Sequence, residues 1–315
     1  IAWTETKLQQ EPTNHLAAIF QARFASNSGQ TEMAIQRYTE AAPYVPVEIC
    51  EEAGNFIIST SQDREKFFQL LEASPDPAKQ MLARGLRAQV AMRESDPAKA
   101  EELLRQAIAI YPKAPGVRSS LATLLYSQNR KADARKVLEE GIKDNPTTDN
   151  LKVRLAALLM EETTPENLQQ ILVLLKDICI PQQQDGFPYA ILSAAYAALG
   201  QSEEAMQAAL RANERSGGGS EAPYQLGLRF LEKGRFVESI EHFKRARQAG
   251  PNDTRIAGAL VKAYNGAAAQ ERAALLKKSY SEEALKLAPD DATALKTLEE
   301  ANKALEAEAA SNEKT

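Results

Sequence analysis

The sequence is poor in the residue types that build metal and catalytic sites. Its 315 residues include two cysteines and two histidines, and aromatic residues account for 6%. Cys50 and Cys179 are too far apart for a C-x-x-C motif, so we expect two buried free thiols and no metal or redox centre. His15 and His242 stand apart from any cluster of cysteines or carboxylates, and His242 beside Glu241 is predicted to be a surface imidazole.

Phosphate-binding and membrane-spanning signals are missing as well. The glycine run Gly217–Gly219 is not followed by the Lys-Ser/Thr pair of a phosphate-binding loop. No apolar run approaches the ~20 residues that span a bilayer, and no signal peptide is recognisable. We therefore expect no cofactor, no small-molecule substrate and no enzymatic activity. The chain starts at Ile1 without Met, so we expect that an upstream segment was removed, with a membrane anchor or further repeats as the alternatives. The compartment, cytoplasm or periplasm, stays open.

The charge balance does not suit a nucleic-acid-binding protein. The net charge is −5, from 43 acidic and 38 basic residues, whereas binding to phosphate backbones favours a positive surface. The basic cluster Lys244, Arg245 and Arg247 falls on a predicted amphipathic helix, where a solvated face explains it. The sequence therefore predicts no nucleic-acid partner.

A repeat of 34 residues runs through most of the chain. Pro12 and Pro46, Pro112 and Pro146, and Gly200 and Gly234 are each separated by this distance. Proline ends a helix because it lacks an N–H group and clashes with the preceding turn. Alanine and leucine dominate the intervening segments, and both residues favour helix. The spacing predicts a series of similar helical units.

The unit at residues 220–251 shows the pattern most clearly. Leu226 and Phe230 lie four residues apart and predict one apolar stripe on a first helix, and Gly234 predicts a tight turn. A second helix follows, with its own stripe of apolar residues, and Pro251 ends it. Each unit is therefore predicted to be a pair of amphipathic helices.

These residues resemble the tetratricopeptide repeat (TPR), whose pattern is W-x2-L-G-x2-Y, then A-x3-F, then P. Partial matches recur in register along the chain. They read Pro223-x2-Leu226-Gly227-x2-Phe230 with Ser239-x3-Phe243 and Pro251, Tyr189-x2-Leu192-Ser193-x2-Tyr196 with Ala205, Leu121-Ala122-x2-Leu125 with Ala134-x3-Leu138, Ala34-x3-Tyr38, and Ala100-x3-Leu104. The resemblance implies an all-α, right-handed superhelical solenoid of stacked antiparallel helix pairs. Small residues at these positions let neighbouring helices approach closely.

The boundaries follow from the spacing, with one solenoid predicted over residues 1–310. Residues 1–12 are expected to be the second helix of a partial repeat, and residues 292–309 a capping helix before a frayed tail at 311–315. We interpret Ser216–Ser220 as a soft hinge within the 34-residue spacing. About eight repeats fill 15–291, namely 15–48, 49–80, 81–114, 115–148, 149–185, 186–219, 220–253 and 254–291.

By resemblance, the first helices line a concave groove that takes a peptide or an amphipathic helix of another protein. Some TPR proteins hold a terminal carboxylate with a Lys/Asn/Arg clamp, but here Ile19 and Arg23 occupy the clamp's Lys and Asn positions. A largely apolar lining with methionine and tyrosine suits an apolar or amphipathic segment. The groove residues predicted to bind the partner are Arg23, Asn27, Gln89, Met92, Arg93, Thr123, Tyr126, Met160, Tyr224, Leu228 and Leu231.

Three functions are compatible with such a chain. The first is a scaffold or adaptor that assembles a protein complex. The second is a regulatory or substrate-recruiting repeat region of a larger enzyme, such as a glycosyltransferase, whose catalytic part lies elsewhere. The third is an RNA-binding helical-repeat protein, which the acidic balance and the 34-residue period disfavour. The sequence favours the scaffold.

Overall fold

The computed structural model describes residues 6–7, 14–60, 64–180, 183–215 and 219–312. These residues form α-helices and contain no β-strand, which confirms the predicted all-α class. The helices, numbered from the first complete one, are α1 His15–Asn27, α2 Thr31–Ala41, α3 Val47–Thr60, α4 Glu65–Glu72, α5 Pro77–Arg93, α6 Pro97–Ile110, α7 Pro115–Ser127, α8 Lys131–Asp144, α9 Asp149–Leu159, α10 Pro165–Lys176, α11 Phe187–Ala198, α12 Ser202–Asn213, α13 Glu221–Glu232, α14 Phe236–Ala249, α15 Thr254–Gln270, α16 Ala274–Leu287 and α17 Ala292–Asn312.

From α1 to α16 we call the odd-numbered helices first helices and the even-numbered helices second helices. Six first helices pack against the second helix that follows them, namely α1, α5, α7, α11, α13 and α15. Partners such as α5 and α6, or α13 and α14, pack side by side. Because three-residue turns join these partners, the two helices of a pair run antiparallel. Second helices also contact the first helix of the next pair, as α12 contacts α13 and α14 contacts α15. This is the stacking of helix pairs that the repeat predicts.

Five of the turns within pairs share one conformation. Gly29, Gly200 and Gly234 have φ between 69° and 75°, and Ser95 and Asn129 have φ of 60° and 61°. In each turn the following N–H bonds to the carbonyl five residues back, at 2.8–2.9 Å. This hydrogen bond satisfies a carbonyl that the helix end would otherwise leave unpaired. The glycines fit because they tolerate positive φ.

Small residues lie where the two helices of a pair approach each other. Ala34, Ala100, Ala134, Ala205 and Ser239 are each no more than 1% exposed. They occupy the first or second turn of a second helix, at the positions of the alanine in the A-x3-F pattern. The sequence prediction that these positions are close-packed is confirmed by their burial.

Local signals move some helix ends away from the predicted repeat limits. Helix α5 begins at Pro77, four residues before the predicted limit at 81, because the Asp76 carboxylate accepts a hydrogen bond from Ala78 N at 2.9 Å. Pro251 and Pro289 are 38 residues apart, four more than the repeat period, which predicts about one additional helical turn. Helix α15 contains this turn and extends to Gln270. Most of the predicted partial repeat at 1–12 lies outside the described residues, and so do 216–218 of the predicted hinge and 313–315 of the predicted tail.

The helices form two compact units, residues 1–154 and 155–315. In the first unit, one apolar cluster extends from Ala18 to Leu86. In the second unit, the largest cluster joins α14, α15, α16 and α17. None of the described helices is long and apolar enough to cross a membrane.

His242 departs from its prediction as a surface imidazole. Its ring is half-buried and stacks on Phe230, with 5.2 Å between the ring centroids. Burial lowers the pKa of the imidazole, and Nδ1 has no hydrogen-bond partner among the described residues. The prediction failed because Phe230 comes from the first helix of the pair, and the periodicity of α14 alone does not reveal its position.

Candidate functional site

In the first unit, the predicted groove residues of α5 and α7 occupy equivalent positions. Gln89 and Thr123 are 34 residues apart, and so are Met92 and Tyr126. Met92 is 40% exposed and Tyr126 is 44% exposed, although large apolar side chains are usually buried. Thr123 is exposed and Gln89 is half-buried. Two neighbouring first helices therefore present an accessible apolar side chain at the same repeat position.

Helix α1 contributes Arg23 and Asn27, both exposed. The Arg23 guanidinium donates two hydrogen bonds to the Glu52 carboxylate, Nε to Oε1 at 2.9 Å and Nη2 to Oε2 at 2.6 Å. The Tyr38 hydroxyl donates to the same carboxylate at 2.9 Å. The hydrogen bonds from Arg23 hold the pKa of Glu52 below its usual value, whereas burial raises that of Tyr38 to about 12. Arg23 is thus a positioned cation whose charge is largely balanced by Glu52.

Two more predicted groove residues are held by hydrogen bonds to neighbouring helices. Arg93 Nη1 donates to the Ile58 carbonyl in the last turn of α3 at 2.6 Å, where a positive charge also complements the helix dipole. Thr123 Oγ1 donates to the Ser119 carbonyl at 3.0 Å and accepts from Arg154 Nη1 at 3.2 Å. These contacts fix side chains that would otherwise lose rotamer entropy on binding.

In the second unit, Tyr224, Leu228 and Leu231 share one side of α13, and all three are half-buried. They pack against the apolar cluster of α14 and α15. The ring centroids of Tyr224 and Phe243 are 5.9 Å apart. The Arg255 guanidinium covers one face of the Tyr224 ring, 4.9 Å from the ring centroid. A large part of each side chain therefore joins neighbouring helices, and the remainder is accessible.

Met160 follows the last residue of α9 and is half-buried. It comes one repeat after Tyr126 in the sequence but belongs to the second unit. The predicted groove residues thus form two sets, which we call the unit 1 surface (Arg23, Asn27, Gln89, Met92, Arg93, Thr123 and Tyr126) and the unit 2 surface (Met160, Tyr224, Leu228 and Leu231).

Sequence reasoning missed a buried polar pair on α13. Gln225 and Arg229 are each 5% exposed and lie one turn apart. Arg229 Nη2 is 2.9 Å from Glu232 Oε1, but Nε and Nη1 have no hydrogen-bond partner among the described residues, and neither has Gln225 Oε1. Burial lowers the pKa of Arg229. The i, i+4 spacing of Glu221, Gln225 and Arg229 suggests a solvated face, so the sequence carries no signal for this burial.

We expect Arg229→Met to stabilise the protein. Methionine fills a similar volume without unpaired N–H groups, and Glu232 is exposed enough to be hydrated without its partner. The gain should be about 1 kcal/mol, or a rise in Tm of about 2–4 °C for a unit of this size. Differential scanning calorimetry measures the shift. A lower Tm would contradict the expectation and show that Arg229 makes its missing hydrogen bonds in solution.

The described residues contain no group of three His, Cys, Asp or Glu side chains arranged to hold a metal ion. Both cysteines are free, as predicted, and Cys50 is buried, but the predicted burial of Cys179 is wrong because its side chain is only half-buried. Burial raises the pKa of both thiols, that of Cys179 to about 12. Neither thiol is activated as a nucleophile.

Family comparisons agree with the helix pairs and their spacing. Models described as tetratricopeptide repeat match residues 91–160 and 193–254. The chain is a TPR protein. Both matched segments contain turns and buried small residues described above, including Ser95, Ala134 and Gly234. TPR repeats are protein-interaction modules, so the protein is an interaction scaffold.

Solved structures share the fold of this TPR protein. PilF of Pseudomonas aeruginosa matches with a TM-score of 0.55 and 14% identity, over 71% of this chain and 99% of its own. A chain of the APC/C hetero-tetramer Cut9–Hcn1 matches with a TM-score of 0.55 and 13% identity, over 92% of this chain and 56% of its own. The C-terminal part of a TPR repeat-containing protein from Cytophaga hutchinsonii matches with a TM-score of 0.50 and 12% identity, over 88% of this chain and 98% of its own. No curated protein matches the sequence.

Proposed function

We propose that this TPR protein is a non-catalytic adaptor that binds an apolar peptide or an amphipathic helix of another protein on its first helices. The exposure of Met92 and Tyr126 at equivalent positions of α5 and α7 carries the proposal. Methionine adapts to irregular apolar surfaces, and tyrosine and arginine are enriched among binding hot spots. Arg93, anchored on Ile58, lies next to Met92 in the sequence and supplies a fixed cation.

The unit 1 surface is the stronger of the two sets. Six of its seven members are exposed and Gln89 is half-buried, whereas Tyr224, Leu228 and Leu231 contribute much of their surface to packing between helices. We therefore assign the main anchors to unit 1 and a supporting role to the unit 2 surface.

The test is a titration of the partner, once affinity purification has identified it. Tyr126→Ala and Arg93→Ala should each weaken binding by about 1–2 kcal/mol, roughly five- to thirtyfold. Lys136→Glu on the exposed side of α8 is the matched control and should leave the affinity unchanged. Circular dichroism should show equal helicity for all variants. Equal affinity of wild type and both truncations would reject the unit 1 surface as the binding site.

A further inference from the structure

The second helices α10 and α12 flank an open space on the surface of the second unit. Between them, over the first helix α11, is a cleft of about 670 Å³. Leu192 and Tyr196 of α11 are half-buried along its floor, and Val173 of α10 is 73% exposed at its edge. The exposed valine is notable because a β-branched apolar residue gains nothing from solvent or from helix propensity. None of these residues belongs to the predicted groove.

The two ends of this cleft carry opposite charges. Glu203 and Glu204 lie in the first turn of α12, and Arg211 lies in its last turn. The distance along the helix is about 12 Å, because each residue rises 1.5 Å. Lys176, in the last turn of α10, lines the cleft near Cys179, which also feels the charge of Arg211. The basic pair therefore shares one end and the acidic pair the other.

Three of these four charged side chains form no ion pair among the described residues, although each is favoured by the dipole of its own helix. Glu203 Oε1 is 3.1 Å from Lys233 Nζ, but the side chains of Lys176, Glu204 and Arg211 have neither a hydrogen-bond nor an ion-pair partner there. An α-helix has a complementary charge pattern, positive at its amino end and negative at its carboxyl end. Its first N–H groups and last carbonyls are also unpaired and can bond to carboxylates and to cationic side chains.

We propose that the cleft between α10 and α12 binds a short amphipathic helix of another protein, two to three turns long. Its apolar stripe packs on Val173, Leu192 and Tyr196. Its amino end faces Glu203 and Glu204, and its carboxyl end faces Lys176 and Arg211. The bound helix runs antiparallel to α11, as α12 does, because α11 and α12 form an antiparallel pair. None of the residues that line the cleft belongs to the unit 1 surface or the unit 2 surface, so the cleft is a binding site for a second partner.

The test uses two fluorescein-labelled, hydrocarbon-stapled helical peptides of eleven residues with the same composition and the same leucine stripe. The forward peptide carries two lysines at its amino end and two glutamates at its carboxyl end, and the reverse peptide carries them exchanged. Fluorescence anisotropy should show that wild type binds the forward peptide at least about fivefold more tightly than the reverse peptide. In the forward peptide the side-chain charges and the helix dipole have the same sign at each end, and both are complementary to the cleft. Val173→Asp should weaken both peptides about tenfold or more, with unchanged helicity and Tm.

A charge-swapped variant provides the decisive control. Lys176→Glu, Glu203→Lys, Glu204→Lys and Arg211→Glu together should abolish or invert the preference between the two peptides. The proposal would be overturned if wild type bound the forward and reverse peptides with equal affinity, or if it bound neither peptide. A wild-type dimer that Val173→Asp dissociates in sedimentation equilibrium would also overturn it and assign the cleft to a second copy. Val173→Asp should leave binding of the groove partner intact. A failure of the cleft proposal can therefore be distinguished from a failure of the proposal that a partner binds the first helices.

Discussion

Replacing Ala134 by arginine is expected to lower the free energy of unfolding of the first unit by about 3–5 kcal/mol. Ala134 is 1% exposed in the first turn of α8, which packs against α7. The space holds a methyl group, so an arginine must either force the two helices apart or bury an unpaired charge. Because repeats contact mainly their neighbours, we expect the damage to centre on residues 81–154.

Urea denaturation and amide hydrogen exchange check this prediction. Lys136→Arg places the same side chain on an exposed position of the same helix and should be nearly neutral. Exchange protection should fall in α7 and α8 and persist in α13–α15. An Ala134→Arg protein with wild-type stability would show that the close-packed register of the repeats is wrong.

A leucine at Gly227 is expected to destabilise the second unit by roughly 2–3 kcal/mol, although leucine is the better helix former. A Cβ atom at Gly227 would lie 2.6 Å from Cδ1 and Cε1 of Phe243. Phe243 is completely buried and cannot move aside without disturbing α14. The overpacking should outweigh the gain of about 1 kcal/mol in helix propensity.

Gly258 gives a matched control with the opposite sign. It lies within α15, is exposed, and has no heavy atom within 4 Å of an added Cβ. Gly258→Ala should therefore stabilise the protein by about 0.8–1 kcal/mol. Thermal unfolding of both variants measures the two effects. If Gly227→Leu were as stabilising as Gly258→Ala, α13 and α14 would not be as close as the structure shows.

The repeated features of the fold could be predicted because each depends on one residue type at a fixed spacing. Ala134 and Ser239 are small at positions where two helices meet, and Gly200 and Gly234 fit a turn with positive φ. Ser95 and Asn129 adopt the same turn conformation without a glycine, so residue type alone does not mark those turns. At Ser95 and Asn129, which are 34 residues apart, the repeat period indicates the position of the turn better than the residue type does.

The candidate site was less predictable, because exposure depends on contacts between repeats. Spacing placed Met92 and Tyr126 at one repeat position, but it did not reveal that Arg255 covers a face of Tyr224. It also missed the burial of Arg229, since a charged residue at i, i+4 spacing ordinarily indicates a solvated face. Such contacts join residues of different helices and leave no periodic trace.

Hydrogen–deuterium exchange of the protein with and without its partner tests the central claim most directly. If the first helices bind the partner, complex formation should slow exchange in α1, α5 and α7, around Arg23, Met92 and Tyr126. Exchange in the second helices α2, α6 and α8 should change little. Protection confined to those second helices, with α1, α5 and α7 unaffected, would contradict the assignment of the partner to the first helices.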